Sequence, residues 1–577
     1  MEKEYVVIVH KGVDLTAFDT ELAAATGDSP IPNRAVQIAD PREGSKRMTH
    51  WMLTEEEAQE LQSDERVLAV EIPPHMREDI EFTLDAKAKR GGRFKRKGAS
   101  TASNVNWGLR RSNARTNIYF GQEDVNENLE SDYVFALDGA GVDVVIQDTG
   151  IQADHPEWQD ADGNSRLQQI DWYTESGISG SQHPDHYTDT DGHGTHVAAI
   201  AVGKTYGWAK GAHIYSQKIV DLGGTGGVPF GTSPSTAFDM IRLWHNAKTN
   251  GRPTIVNMSW GVRHATSLNP TSGVYRGSSW DYSGQSDSTL YSQFGIVSKF
   301  SNGNRSIPAQ ITAYDVEIEE MIDAGIHVCI SAGNGYYKAD VPGGDDYNNS
   351  VLINSNTYYY HRPASPYHED AFFVGNISNE PRVSGSSTDG AAQNSNRGPA
   401  VNMWAAGTNI MSAASNTVAS SRSTLSYPED PNYKIMVLDG TSQAAPQVAG
   451  VAALHLQSQP NISPARLKRK MIADAIDDMI EDTSRNSDYV TTTGSLVGGP
   501  NKFLFSRYGV DSPFSLVSIK TAPGSGTGTG TGVDTGVDTG GDGGGLAPDP
   551  DLGVETIYGS QLGIEFISQT GEEYTIQ

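Results

Sequence analysis

From about residue 104 to residue 510 the chain alternates short apolar runs with stretches of helical spacing, which argues for an α/β domain around a largely parallel sheet. Val142 to Ile146, Ile255 to Met258, Ile326 to Ile330 and Phe372 to Val374 are apolar runs of the kind carried by strands covered on both faces. Helices are expected to start at His193, near Ala313 and at Ser442, and Ser463 to Ile480 reads as another, with Pro464 in its first turn. Pro446 is expected in the first turn of the Ser442 helix, where a missing amide is tolerated. Long polar stretches at 262–310 and 335–362 interrupt this pattern and read as surface insertions near the working face, with disorder as the alternative.

The flanks differ in kind. Residues 1–75 read as a small α+β unit, with apolar runs at Tyr5 to Val9 and Val67 to Ile72 and helical patterning near Leu15 to Ala25. Thr54 followed by Glu57 spells a capping box ahead of a second helix. Residues 76–103 read as a linker that turns abruptly basic between Lys87 and Lys97, with glycines and no hydrophobic period. Such a segment is exposed to proteolysis. The catalytic-sized domain is bounded at 104–520, and 521–545 is a Gly/Thr-rich tether that cannot bury enough apolar surface to offset its chain entropy. Residues 546–577 carry short alternating runs that suit a small β element of no assigned role.

Charge narrows the field. With 43 Lys and Arg against 71 Asp and Glu, a net charge of -28 disfavours nucleic acid and anionic membranes as partners. The single cysteine, Cys329, forbids an internal disulfide. No 18-residue apolar run occurs, and the opening MEKEYVVIVHKG lacks the apolar core and cleavage site of a secretory signal. The expected localisation is cytoplasmic, virion-associated or non-classically exported.

Four motifs carry candidate chemistry. Peptide hydrolysis by serine requires a nucleophile, a base, a carboxylate that fixes the base's tautomer, and donors facing the developing oxyanion. Asp148 in VDVVIQDTG ends a buried strand, where open α/β sheets place functional groups. His193 in DTDGHGTHVAAIAVG opens an Ala/Val helix, with His196 three residues on and read as a packing residue rather than a metal ligand, since no glutamate lies between the two. Ser442 in LDGTSQAAPQVAGVAALHLQ opens another helix, whose free amides face negative charge. Asn334 in HVCISAGNGYY follows a buried strand and offers a side-chain amide to an oxyanion. Taken singly, each is an ordinary turn or cap. Their order of Asp, His, Ser excludes an α/β-hydrolase, which runs Ser, acid, His and carries Gly-x-Ser-x-Gly.

DTGIQADHPEW, DGHGTHVAAIAVG, IVNMSWG, ISAGNG, SNRGPAVNMWAAGTNIMSA and GTSQAAPQVAGVAAL resemble the successive signature blocks of the subtilisin-like serine peptidases, the subtilases, over about Trp107 to Tyr508. The resemblance implies a subtilisin-like three-layer α/β domain with a largely parallel sheet, preceded by a small α+β, ferredoxin-like propeptide unit. It gives Asp148, His193 and Ser442 the triad roles and Asn334 the oxyanion role. It sets Ser259, Trp260 and Gly261, together with Ser331, Ala332 and Gly333, along the substrate cleft, where an extended peptide adds as a strand. Gln443, Ala445 and Gln447 depart from the methionine, small hydroxyl residue and histidine usual in the family.

EYVVIVHKG and THWMLTEEEAQELQSDERVLAVEIPP resemble the strands and helix of a subtilase propeptide, and NVNWGLRRSN resembles the start of a mature enzyme. The implied partners are polypeptide substrates and the chain's own propeptide, which would assist folding, block the cleft and be cut off between about Ile72 and Ser103. No cofactor is required for the chemistry. Structural calcium is common in relatives, but no stretch spells a ligand loop, so no metal site is assigned. The competing reading is a non-catalytic or self-maturing structural component, such as part of a virus particle, built on the same scaffold.

Overall fold

The computed structural model describes residues 2–26, 29–77, 79–84, 87–88, 106–115, 135–221, 228–229, 232–300, 302–378, 388–418, 423–480, 496–508, 564–567 and 573–576. Contacts divide the chain into two units, Met1–Ser518 and Ile519–Gln577. In the second, Ile564–Ile567 and Glu573–Ile576 pair antiparallel. Most of the basic run and all of the 521–545 tether lie outside the described residues.

The first elements run strand Lys3–Val9, helix Leu15–Ala24, strands Gln37–Asp40 and Met48–Leu53, helix Glu55–Leu61 and strand Val67–Glu71. The four strands form one antiparallel sheet with Lys3–Val9 and Met48–Leu53 at its centre, a β-α-β-β-α-β, ferredoxin-like arrangement. The run Tyr5–Val9 is apolar at every position because both faces of the sheet are covered. Tyr5, Val7 and Val9 pack with Phe18, Leu22, Trp51 and Leu61 beneath the unit's own helices, whereas Val6, Ile8 and Met48 join the core of the large domain. The Thr54–Glu57 capping box is present, with the Thr54 amide donating to Glu57 Oε2 at 2.8 Å.

The segment assigned to a linker from residue 76 holds a strand, Ile80–Leu84, in antiparallel register with Trp260–Thr266. Its period-two alternation of Ile80, Phe82 and Leu84 with Glu81 and Thr83 is overshadowed in sequence by the basic run that follows.

The large domain is built on a ten-stranded sheet. Asp143–Asp148, His213–Lys218, Thr254–Met258, His327–Ser331, Phe372–Ser378 and Met403–Ala406 are parallel neighbours within it. Alternate residues serve opposite layers. Val145, Val256, Val328 and Phe373 face the helices Pro234–Ala247 and Thr312–Asp323. Val144, Ile255, Cys329 and Phe372 face His193–Val202 and Thr441–Ser458. The sheet is thus sandwiched, and the two helices carrying candidate chemistry pack together on one side.

Two expectations change. The helix after Ser463 ends at Asp474, because Ile476 and Asp477 leave it to pair with Phe503 and Lys502. The insertions are ordered: Ser272–Tyr275, Ser278–Asp281, Ser350–Ile353 and Asn356–Tyr359 make a four-stranded sheet over Leu290, Ile296, Val297, Ile307, Tyr337 and Tyr360. This core is contributed by both insertions, so neither shows a complete hydrophobic pattern by itself.

Candidate active site

Asp148 ends its strand and His193 begins its helix, and the two meet with Asp148 Oδ1 at 2.7 Å from His193 Nδ1. That contact makes Nδ1 the proton-bearing nitrogen and leaves Nε2 as the basic one. Asp148 Oδ1 also accepts the Thr149 amide at 2.8 Å. The two turns cross closely. A Cβ at Gly194 would lie 2.1 Å from the Gly150 carbonyl oxygen, so only glycine fits there. Gly192 has a φ of +85°, which also favours glycine.

Asp189, four residues before the histidine, staples this crossing. Its carboxylate accepts from Thr149 Oγ1 at 2.9 Å, from the Gly192 and Thr195 amides at 2.8 Å each, and from Thr195 Oγ1 at 2.6 Å. Thr149 Oγ1 in turn accepts the Gly194 amide at 2.8 Å. Burial, followed by the charge of Asp191, raises the Asp189 carboxyl above its usual range, and its hydrogen bonds act in the opposite direction. Sequence reasoning passed over Asp189; its signal was an acid one helical turn before a helix start. His196 packs as expected, with Nε2 at 3.2 Å from the carbonyls of Ile410 and Met436.

Ser442 is the second residue of helix Thr441–Ser458, which packs against the His193 helix through Val197, Ala198, Ala444 and Ala445 in one buried core. Its hydroxyl donates to the Ser259 carbonyl at 2.8 Å, and Ser259 Oγ donates to the Ser442 carbonyl at 2.9 Å. Pro446 explains the second bond. It is the sixth residue of the helix rather than a member of the first turn. Its absent N–H deprives the Ser442 carbonyl, four residues back, of its helical donor. Ser259 supplies the substitute.

Asn334 faces the same helix start. Its Oδ1 accepts the Thr441 amide at 3.1 Å, while Thr441 Oγ1 accepts the Gly333 amide at 3.1 Å. Holding the oxygen in this way turns the Nδ2 end of the amide away from the helix. Gln447 bridges Asn106 and Trp208: its Oε1 accepts from Trp208 Nε1 at 2.6 Å, and its Nε2 donates to Asn106 Oδ1 at 2.9 Å.

A cavity of about 290 Å³ opens at Gly333 and Asn334. Trp260 and Gly261 form one wall, Ser331, Ala332, Gly333 and Asn334 the other, and Thr83 and Leu84 of the chain's own strand close it. Phe300 and Asn302, from the first insertion, also line it. Asp148, His193 and Ser442 are all fully buried. Of the cleft residues expected from sequence, Trp260 and Gly261 pair with Leu84 and Thr83.

Among the described residues, one group of carboxylates has a geometry that suits a metal, Asp239, Glu317 and Glu320. Two guanidinium groups already serve it: Arg42 bonds Asp239 at 2.6 Å and Glu317 at 2.7 Å, and Arg242 bonds Asp239 at 2.7 Å. No described helix is long and apolar enough to cross a membrane.

The chain is 24% identical over 403 residues to a cuticle-degrading serine protease of Arthrobotrys oligospora, covering 70% of this chain and 68% of that protein. It is 26% identical over 385 residues to a subtilisin-like serine protease of Cochliobolus lunatus, covering 65% of this chain and 55% of that protein. An extracellular serine proteinase of a Thermus species is 26% identical over 385 residues, covering 67% of this chain and 65% of that protein. The chain therefore spans between about half and two thirds of the length of these curated relatives. Among solved structures, it is similar to a cold adapted subtilisin-like serine proteinase, with 22% identity, 70% of this chain and 99% of that one covered, and a TM-score of 0.42. Fervidolysin from Fervidobacterium pennivorans, a keratinolytic enzyme related to subtilisin, is 16% identical with 88% of this chain and 60% of that one covered, at a TM-score of 0.49. The Subtilase family model matches residues 139–507, and the chain belongs to that family.

Proposed function

We propose that the protein is a serine endopeptidase in which Ser442 is the nucleophile, His193 the general base and Asp148 the carboxylate that orients it. The observation that carries this reading is the buried 2.7 Å contact between Asp148 and His193, made at the head of a helix that packs against the helix opened by Ser442. His193 Nε2 takes the hydroxyl proton as Ser442 attacks, and then delivers it to the leaving amine. Water repeats the cycle on the acyl-enzyme. Asp148 stays ionised and stabilises the imidazolium.

The oxyanion is held by Asn334 Nδ2 and the Ser442 amide, one of the N–H groups that a helix start leaves without an internal partner. Loss of one such side-chain donor costs about 10²- to 10³-fold in turnover, a magnitude measured on a subtilisin rather than on this chain. Substrates lie as an added strand along Trp260 and Gly261, and the N-terminal unit is a propeptide whose strand Ile80–Leu84 holds that edge.

A fluorophosphonate probe tests the assignment. The matured wild-type protein should be labelled, and Ser442→Ala should not be. A label that persists in the variant refutes the nucleophile, and a chain that neither labels nor cuts a denatured protein is the non-catalytic component instead.

A further inference from the structure

We propose that the substrate groove selects peptides with acidic residues upstream of the cut, and that Arg263, seconded by His264, is the group that reads them. The inference rests on the peptidase reading above and adds to it the substrate class. The strand Trp260–Thr266 runs past the cleft residues Trp260 and Gly261 into the first insertion. One of its edges pairs with Arg305–Pro308, and the other with Ile80–Leu84. The second edge is the one along which a substrate adds, so Ile80–Leu84 indicates which side chains an occupant sets against it. Glu81 stands directly opposite Arg263, with its Oε2 at 3.1 Å from Nη2. Asp79 Oδ2 lies 3.0 Å from His264 Nδ1 and is shared with Arg77 of its own segment at 2.9 Å.

What the large domain itself offers these two cations decides the reading. Among the described residues, Glu81 is the carboxylate paired with Arg263 and Asp79 the one paired with His264, and neither belongs to the large domain. The other contact of Arg263 is a weak one to Ser306 Oγ at 3.4 Å, and His264 meets the edge of the Tyr358 ring. Arg263 Nε is buried without a hydrogen bond. The guanidinium therefore keeps an N–H beside Nη2 for a carboxylate that grips it with both oxygens. In a chain of 71 acids and 43 bases, an arginine on the groove edge with no acid from its own domain has its counter-charge supplied by whatever lies in the groove.

The net charge of -28 opposes an acidic peptide at long range, but salt screens charges beyond about 8 Å, so the contact pair decides. The Arg263 and Glu81 side chains are 37% and 51% exposed, which keeps the discrimination modest. An acid directly across a strand pair from Arg263 should be preferred over a base by about fivefold.

Two internally quenched peptides test this, each copying residues 79–84 with a short alanine tail, one with glutamate and one with lysine at the position of Glu81. Offered to one preparation of the full-length chain, both compete with the chain's own strand, so the ratio of their kcat/KM values does not depend on how much of the groove is free. At low salt the glutamate peptide should be cut about fivefold more efficiently, and Arg263→Glu should reverse the order. The milder Arg263→Gln should bring the ratio close to one. A wild-type ratio close to one, or an unchanged ratio in Arg263→Glu, overturns acid selection while the peptidase reading stands. A preparation that a fluorophosphonate labels but that cuts neither peptide also overturns it, since residues 79–84 then do not lie as a substrate does. Absence of both label and cutting brings down the peptidase reading and this inference together.

Discussion

Gln443, next to the nucleophile, is fully buried, and neither its Oε1 nor its Nε2 finds a hydrogen bond within the described protein. An amide left in that condition costs about 1–3 kcal/mol. Gln443→Met should therefore raise the unfolding free energy by about 1–2 kcal/mol in a denaturant titration, and a loss of stability would show that the amide has a partner. Gln447 behaves oppositely, since its amide is shared between Asn106 and Trp208. Sequence showed both departures from the family but could not tell them apart, because Asn106 lies 341 positions from Gln447. Asp148, His193 and Asn334 were legible because each sits in a local motif of glycines and strand ends. Asp189 and Thr441 were not, because they work through backbone amides and side chains that no motif of their own announces.

At the scale of elements, the start of the Ser442 helix depends on its neighbour strand. Pro446 removes one rung, and Ser259 Oγ restores the acceptor's partner at 2.9 Å. Ser259→Ala should cost about 1–2 kcal/mol of stability, and most of that loss should vanish when Pro446→Ala returns the amide. A double-mutant cycle in which the two changes simply add would show that the serine and the proline are not coupled. Strand positions were readable wherever both faces of the sheet are buried, as at Ile255–Met258 and His327–Ser331. The insertions resisted because Leu290 and Val297 find Val351 and Tyr360 only after the chain has folded back on itself. Ile80–Leu84 resisted for a similar reason: it is a strand only in the presence of its partner, Trp260–Thr266.

At the scale of the whole molecule, the N-terminal unit is held by charge as well as by apolar packing. Arg42 is buried against Asp239 and Glu317, and Arg47 reaches Glu319 at 2.7 Å. Burial and the charge of Asp239 push the Glu317 carboxyl well above its usual range. Removing one member of a buried pair costs about 3–5 kcal/mol. After an added protease has nicked the chain within residues 89–103, Arg42→Ala should weaken the hold on the N-terminal fragment by about a hundredfold or more, seen as its separation on gel filtration at dilutions where the wild type stays together. Equal retention would assign the grip to apolar contact alone. The net charge gave no hint of this, since a sum over residues does not say which acids meet which bases. Glu71 adds a different kind of dependence. The helix Thr312–Asp323 starts from Ile311, which has no side-chain acceptor, and the Glu71 carboxylate takes the amides of Thr312 and Ala313 at 3.0 and 3.3 Å. The first turn of a helix in the large domain is thus finished by a side chain from outside that domain, and without Glu71 two of its leading amides lose their acceptor.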